Sequence, residues 1–253
     1  AHIAACMAEN QLAGPALGIA WDGTGLGTDG TIWGGEFLVC TRKEFRRAAW
    51  LRPFPLIGGD AAAREPRRAA LGVLREMGVS YTPPGFAKAE LTVLDGMLAE
   101  GLNVVCTSSA GRLFDAVASL LGVCQVMTHE GQAAMRLEAL AGDTPAPAYP
   151  FGWIGDALDW APLVQELLAG GESPAVAAAR FHATLVEMMV AAAKREGLAD
   201  VCLSGGCFQN RRLLAGVIRR LEAEGFQVWR HRDLPPNDAG ICLGQIAVAA
   251  AQV

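Results

Sequence analysis

The stretch from residue 201 to 231 constrains the fold more than any other part of the chain. A short apolar run at 201–204 reads as a strand, Gly205 and Gly206 break it, a helix follows to about Glu224, and 226–231 reads as the next strand. Strand and helix in alternation belong to an α/β protein, not to a helical bundle or an all-strand sandwich.

The rest of the chain carries the alternation less regularly. Residues 16–21 form an apolar run ending at Asp22, a glycine-rich stretch covers 23–30, and 31–40 reads as a returning strand, so the pair forms a hairpin with an elaborate loop. Helical patterns span 60–77, with Pro66 disturbing only the first turns, then 87–100 and 129–141. Ser108 and Ser109 cap a further helix running to about Leu121. Helices at 162–168, 174–196 and 239–250 complete the reading. Three prolines between 142 and 150 mark a loop or a lobe boundary, with 1–145 as a first lobe with inserted helices and 146–253 as a second lobe with the nucleotide-binding turn if the chain divides there.

With 253 residues, 52% of them hydrophobic and 19% charged, the chain can bury a large core. A formal net charge of -5 with scattered basic residues gives no electrostatic footprint for nucleic acid or for a membrane surface. No run reaches the roughly 18 uninterrupted apolar residues of a membrane span, and no leader-like segment is visible. Seven cysteines, none in a Cys-x-x-Cys pair and most in apolar runs, read as small buried hydrophobes of a reducing, cytoplasmic setting.

The residues that carry chemistry lie at the breaks between elements. Gly205-Gly206, between strand and helix, permits close backbone approach, and the free N–H groups of the following helix favour an anion or a nucleoside; a plain tight turn uses the same residues. Asp22-Gly23-Thr24-Gly25 sets a carboxylate beside a glycine cradle, as a phosphate and its metal require, although Asp and Gly are also ordinary turn formers. Trp33-Gly34-Gly35-Glu36 offers a second glycine pair, equally readable as a bulge. Asp60 and Asp238 each stand where a helix begins, and capping is their competing role. Asp115 meets a ribose hydroxyl pair or is a solvated helix acid. His182 reads as a packed histidine, and His129 and His231 receive no role.

Taken in order, these motifs resemble the C-terminal domain of the HypF family of hydrogenase-maturation carbamoyltransferases, relatives of the threonylcarbamoyl-adenosine synthases that modify tRNA. The resemblance covers nearly the whole chain. It rests on Ala1-His2-Ile3-Ala4-Ala5-Cys6-Met7-Ala8-Glu9, on 21–36, 58–66 and 107–116, on Glu130-Gly131-Gln132-Ala133-Ala134, and on 204–210 and 235–245. It implies a two-lobed actin-like ATPase fold with ribonuclease H-like lobes and nucleotide in the cleft, the early strands of the first lobe being missing from this chain. It implies nucleotide contacts from Gly23, Thr24, Gly35, Gly59, Asp60, Gly111, Asp115, Gly205, Gly206 and Asn210. His2 matches the second histidine of the family's His-x-x-x-His metal motif, whose first would lie four residues upstream, and Asp22 and Asp238 complete the site. Imidazole and carboxylates together suit zinc or iron, and magnesium would accompany ATP.

The implied activity is ATP-dependent carbamoyl transfer. A neighbouring domain makes carbamoyl adenylate from carbamoyl phosphate and ATP. This domain hands the carbamoyl group to the C-terminal cysteine of a HypE-like acceptor protein, on the way to the cyanide ligand of nickel–iron hydrogenases. The same fold also serves O-carbamoyltransferases with small hydroxyl acceptors, and the tRNA-modifying synthases, which the acidic charge disfavours. A non-catalytic docking domain is the third alternative, and the intact Asp22, Asp60, Asp115 and Asp238 argue against it.

Overall fold

The computed structural model describes residues 1–252. The chain opens with α1 (His2–Glu9), β1 (Ala16–Leu26), β2 (Ile32–Cys40), β3 (Phe45–Leu51), β4 (Phe54–Ile57), α2 (Asp60–Arg64), α3 (Pro66–Glu76) and α4 (Lys88–Glu100). β5 (Val104–Thr107), α5 (Ala110–Leu120), α6 (Gln132–Ala141), β6 (Gly152–Ile154), β7 (Ala157–Asp159), α7 (Ala161–Ala169) and α8 (Pro174–Glu196) follow. The expected strand–helix–strand unit closes the series as β8 (Asp200–Ser204), α9 (Arg211–Ala223) and β9 (Gln227–Arg230), before α10 (Ile241–Gln252).

The strands form one mixed sheet along the path β6-β7-β3-β2-β1-β8-β9, with β5 bridging β2 and β4 on a branch. β1 lies at its centre, antiparallel to β2 and parallel to β8. β8 and β9 are parallel, with α9 as the crossover that such a pair requires. The sheet runs across the division expected at residue 145. β8 and β9 hydrogen-bond into the layer that begins with β1, so residues on both sides of 145 build one sheet. The prolines of 142–150 mark the connection from α6 to β6.

Pro66 does more than disturb a first turn. Glu65, at φ -117 and ψ 88, leaves helical space as a residue before proline tends to, and the expected 60–77 helix becomes α2 and α3. The helix expected from 129 starts at Gln132, because Gly131 turns left-handed at φ 71. β3 to β7 carried no expectation. In β3 an irregularity of register opposite Phe37 and Leu38 destroys the period-2 burial that would have shown it.

One face of the sheet holds the main core. Leu17, Ile19, Trp21 and Phe37 meet α5 and α8, where Phe114 and Phe181 stack edge-on at 4.9 Å. α8 is long and apolar enough by length and composition to cross a membrane, and 67% of its most apolar window is buried in this core. α1 packs on the opposite face through Ile3, Cys6 and Met7 against Ala16, Cys40 and Cys202. All seven cysteines are free. Cys6, Cys40, Cys124 and Cys202 are buried as expected, Cys207 is half-buried, and Cys106 and Cys242 are exposed. Cys106 points outward because β5 is a short branch strand whose middle is uncovered.

Candidate metal centre and nucleotide cleft

β1 does not end at Asp22. Between the pairs Trp21–Gly35 and Gly25–Trp33 the register shifts, so that Asp22, Gly23 and Thr24 face Gly34 alone. The bulge takes Asp22 out of the ladder and frees its side chain. Asp22 Oδ2 lies 2.9 Å from His2 Nε2, which is 3.6 Å from Asp238 Oδ1. One ligand atom from each of the three lies within 4.8 Å of the others. Residues from the start, the early part and the end of the chain thus converge as expected.

The competing structural roles are largely removed. Asp238 does not cap the 3₁₀ turn it opens. Asn237 does, its side chain accepting the Ala239 N–H at 3.3 Å, and the Asp238 carboxylate is left 83% exposed. Asp22 Oδ1 accepts the Gly23 N–H at 2.7 Å. Burial pushes the Asp22 carboxyl up, but bonds from His2 and from the Gly23 and Gly206 backbone outweigh it and hold it below the usual carboxylate range.

Glycine makes the convergence possible at two positions. A Cβ on Gly205, held at φ 112, would stand 2.2 Å from the Trp21 carbonyl oxygen, and one on Gly206 would stand 2.9 Å from Asp22 Oδ1. The end of β8 therefore lies directly against the bulge of β1. An imidazole and two carboxylates, with space beside Asp22 that any side chain at 206 would fill, fit a divalent cation with coordination positions left open.

A cleft of about 550 Å³ opens beside this centre. Asp22 and Asp238 line it, as do Gly23, Gly111, Asp115, Gly206 and Asn210 of the expected nucleotide contacts. Thr24, Gly35, Gly59, Asp60 and Gly205 are not part of that lining. Thr24 and Asp60 face solvent, and Gly35 packs under the Ser108 carbonyl. Gly111 sits on the bulge, where a Cβ would come within 2.7 Å of Gly23 Cα. Ser109 caps α5, accepting the Arg112 N–H at 3.1 Å, and its hydroxyl lies 2.7 Å from the Asp22 carbonyl oxygen and 2.8 Å from that of Gly23.

Asp115 is no solvated helix acid. It is 2% exposed, and its Oδ2 lies 3.0 Å from Arg112 Nη1 in an ion pair that lacks hydrogen-bond alignment, with no other partner for that oxygen among the described residues. Burial pushes its carboxyl up to about 6, with Arg112 pulling the other way. A buried, under-bonded carboxylate in a cleft wall suits hydroxyl donors from a ligand. Asn210 caps α9 through Oδ1 to the Leu213 N–H at 2.9 Å, and its Nδ2 lies 3.0 Å from His182 Nε2. His182 Nδ1 lies 2.7 Å from the Ala178 carbonyl, so the neutral ring carries its proton there, and burial lowers its pKa to about 4. Burial raises the Cys207 thiol, which keeps it protonated. Arg112 and Glu138 also line the cleft. In sequence each looks like one more charge on a helix face.

The family described as "Carbamoyltransferase, Kae1-like Domain, second subdomain" matches residues 18–245. The carbamoyltransferase HypF of Rhodobacter capsulatus is 47% identical across the whole of this chain, which spans 35% of that protein. A carbamoyltransferase HypF homolog of Cupriavidus necator is 44% identical, again over the whole chain and over 69% of its own length. Full-length HypF, in a crystal structure of its phosphate- and nucleotide-bound form, superposes with a TM-score of 0.88 at 36% identity, covering 99% of this chain and 35% of that one. HypF of T. kodakarensis gives a TM-score of 0.86 at 31% identity, over 99% of this chain and 36% of its own. The chain thus spans about a third of most of these relatives, and its mixed α/β sheet has the actin-like fold that the motifs implied. By sequence and by fold, it belongs to the carbamoyltransferase HypF family, as the C-terminal, Kae1-like part.

Proposed function

We propose that this chain is the carbamoyl-transfer domain of a HypF-type enzyme. The cleft holds a carbamoyl adenylate made from ATP and carbamoyl phosphate, and His2, Asp22 and Asp238 hold zinc or iron at its rim. The carbamoyl group passes to the C-terminal thiol of a HypE-like acceptor, in the cytoplasm and without nucleic acid or membrane. The observation that carries the reading is the convergence of His2, Asp22 and Asp238 beside the cleft lined by Asp115. A relative of the same fold, described as phosphate- and nucleotide-bound, supports it.

The bound metal would supply Lewis acidity to the carbamoyl or phosphate oxygens. Asp115 accepts the ribose hydroxyls, and Asn210 and Gly206 position the adenylate against the bulge of β1. The acceptor thiol gives up its proton to water, its sulfur attacks the carbamoyl carbon, the bond from that carbon to the phosphate oxygen breaks, and AMP leaves. Mass spectrometry of the full-length enzyme with acceptor protein, ATP and carbamoyl phosphate tests this. A carbamoylated terminal cysteine is the expected result. Modification of small hydroxyl compounds alone would hand the reading to an O-carbamoyltransferase.

A further inference from the structure

Away from the cleft, a buried polar network joins the elements that carry the metal-site residues. His231 follows β9 and is buried. Its Nε2 lies 2.9 Å from Ser204 Oγ and its Nδ1 2.7 Å from Glu9 Oε2. Glu9 Oε1 accepts the backbone N–H groups of Arg232, Asp233 and Leu234 at 2.9, 2.7 and 3.3 Å. The set is spaced like a hydrolase triad, but Ser204 has no exposed surface, so it presents no nucleophile to a substrate.

What the network does is join. Glu9 is the last residue of α1, and His2 is the first. Residues 231–234 lead straight into Pro235-Pro236-Asn237-Asp238. Ser204 ends β8, and the next residue, Gly205, donates its N–H to the Pro236 carbonyl at 2.8 Å, closing the loop onto the turn that supports Asp22. Asp238 itself is mostly in solvent, so its position depends on how this loop is anchored.

We infer that Glu9 and His231 are positioning residues for the metal centre, tying α1 to the 231–238 loop and thereby setting His2 and Asp238 at ligand distance. The inference rests on the metal reading given above. α1 acts as a short rigid bar, with His2 and Glu9 about 10 Å apart along its axis at 1.5 Å per residue. Releasing the loop at Glu9 frees residues 232–234 and leaves Asp238 held only from the Pro236 carbonyl bond and from α10, which packs on the start of α1. Loss of hydrogen-bonding partners behind metal ligands costs about 10–100-fold in metal affinity.

The test uses the full-length protein loaded with zinc alone. The zinc that Asp22→Asn loses defines the site. Glu9→Ala and His231→Asn should each bind that zinc at least tenfold more weakly, and the double variant little worse than either, because both act through one loop. Amide hydrogen exchange of the metal-free Glu9→Ala protein should quicken at 232–234 and not in β1 or β8. Glu9→Gln keeps an oxygen for the three N–H groups and should recover most of the affinity, a rescue that a general loss of stability would not show. Zinc affinity equal to wild type in Glu9→Ala, with Asp22→Asn still defective, overturns the positioning role and leaves the metal reading standing. If Asp22→Asn itself binds zinc like wild type, the metal reading fails and the positioning role falls with it. Should Glu9→Ala not fold, His231→Asn and Ser204→Ala decide, and unchanged affinity in both overturns the role.

Discussion

Gly205-Gly206 and Gly58-Gly59 are the same dipeptide, each at the end of a strand and ahead of a helical turn. Their surroundings differ. At Gly205 the missing side chain makes room for the backbone of Trp21, and at Gly206 for the carboxylate of Asp22. At Gly58 the nearest atom to an added Cβ is Nη1 of Arg68, 2.6 Å away at the end of a long side chain paired with Glu65 and Glu90, and at Gly59 it is Asn103 Oδ1 at 3.0 Å. Asp60 beside them faces solvent, whereas Asp22 is held by His2 and by backbone donors. A Gly-Gly-turn in sequence is thus only a possible close approach. The partner that approaches decides whether it builds a site or turns a corner.

The contrast can be broken most forcefully by adding one methyl group. Gly205→Ala places Cβ against backbone that cannot yield, at a φ of 112, and should cost about 3–5 kcal/mol. In a chain of this size that lowers the melting temperature by roughly 10 °C. Gly58→Ala is strained in φ but meets a side-chain end rather than backbone, so Arg68 can shift at the expense of its ion pairs, and the change should cost about 1–2 kcal/mol. Equal losses in thermal melts would erase the distinction.

A second comparison sets Asp115 in the cleft against Asp60 at the periphery. Burial pushes the Asp115 carboxyl up to about 6, so the folded chain holds that proton more tightly than the unfolded one. Its contribution is therefore most favourable below pH 4 and is lost as pH rises towards 6, by up to about 3 kcal/mol. Melts from pH 4 to 7 should show this slope in wild type and a flatter one in Asp115→Asn, with Asp60→Asn following wild type. A nucleotide whose hydroxyls bond the ionised carboxylate should also bind more weakly at pH 5 than at pH 7, which calorimetry with AMP would read. A pH-independent affinity would remove Asp115 from the ribose site.

The carboxylates of the metal centre sharpen the comparison further. Asp22→Asn should weaken metal binding tenfold or more, about 1.4 kcal/mol, while keeping the melting temperature of the metal-free protein. Asp238→Asn should behave alike, since Asn237 already caps its turn. The smallest effect belongs to Asp60→Asn, which alters only a charge in the exposed first turn of α2 and should shift stability by less than about 1 kcal/mol with no loss of metal. Elemental analysis beside thermal melting distinguishes these cases. Full metal retention in both Asp22→Asn and Asp238→Asn would mean that these carboxylates are structural.

The sequence disclosed the site better than it disclosed the frame around it. Apolar runs and glycine breaks revealed β1, β2, β8, α9 and β9, and the order of the motifs brought His2, Asp22 and Asp238 together. What stayed hidden depends on partners far along the chain. The β1 bulge is visible only against Gly34, the burial of Asp115 only against the packing around α5, and the bond from His231 to Glu9 spans 222 positions. β3 to β7 are short or irregular in register, so their backbone pairing leaves no periodic trace in side-chain type. The prolines of 142–150 marked a loop or a lobe boundary, and the structure shows a loop there. Prolines report where the chain turns, and they say nothing of which sheet it later rejoins.

The central place of β1 has a consequence for synthesis. β1, β2 and β3 leave the ribosome together and can pair at once, but the other edge of β1 waits for residues 200–204. At a translation rate of about 5–20 residues per second, that delay is roughly 10–35 s. Throughout it the backbone donors and acceptors of 17–20 form an open strand edge beside Leu17 and Ile19, and such edges are templates for mispairing between chains. A nascent chain of this topology needs its early sheet shielded, by a chaperone or by its own transient helices, until residues 200–204 are made. Truncated products, lacking β8, would carry that sticky edge permanently and end as aggregates or protease substrates.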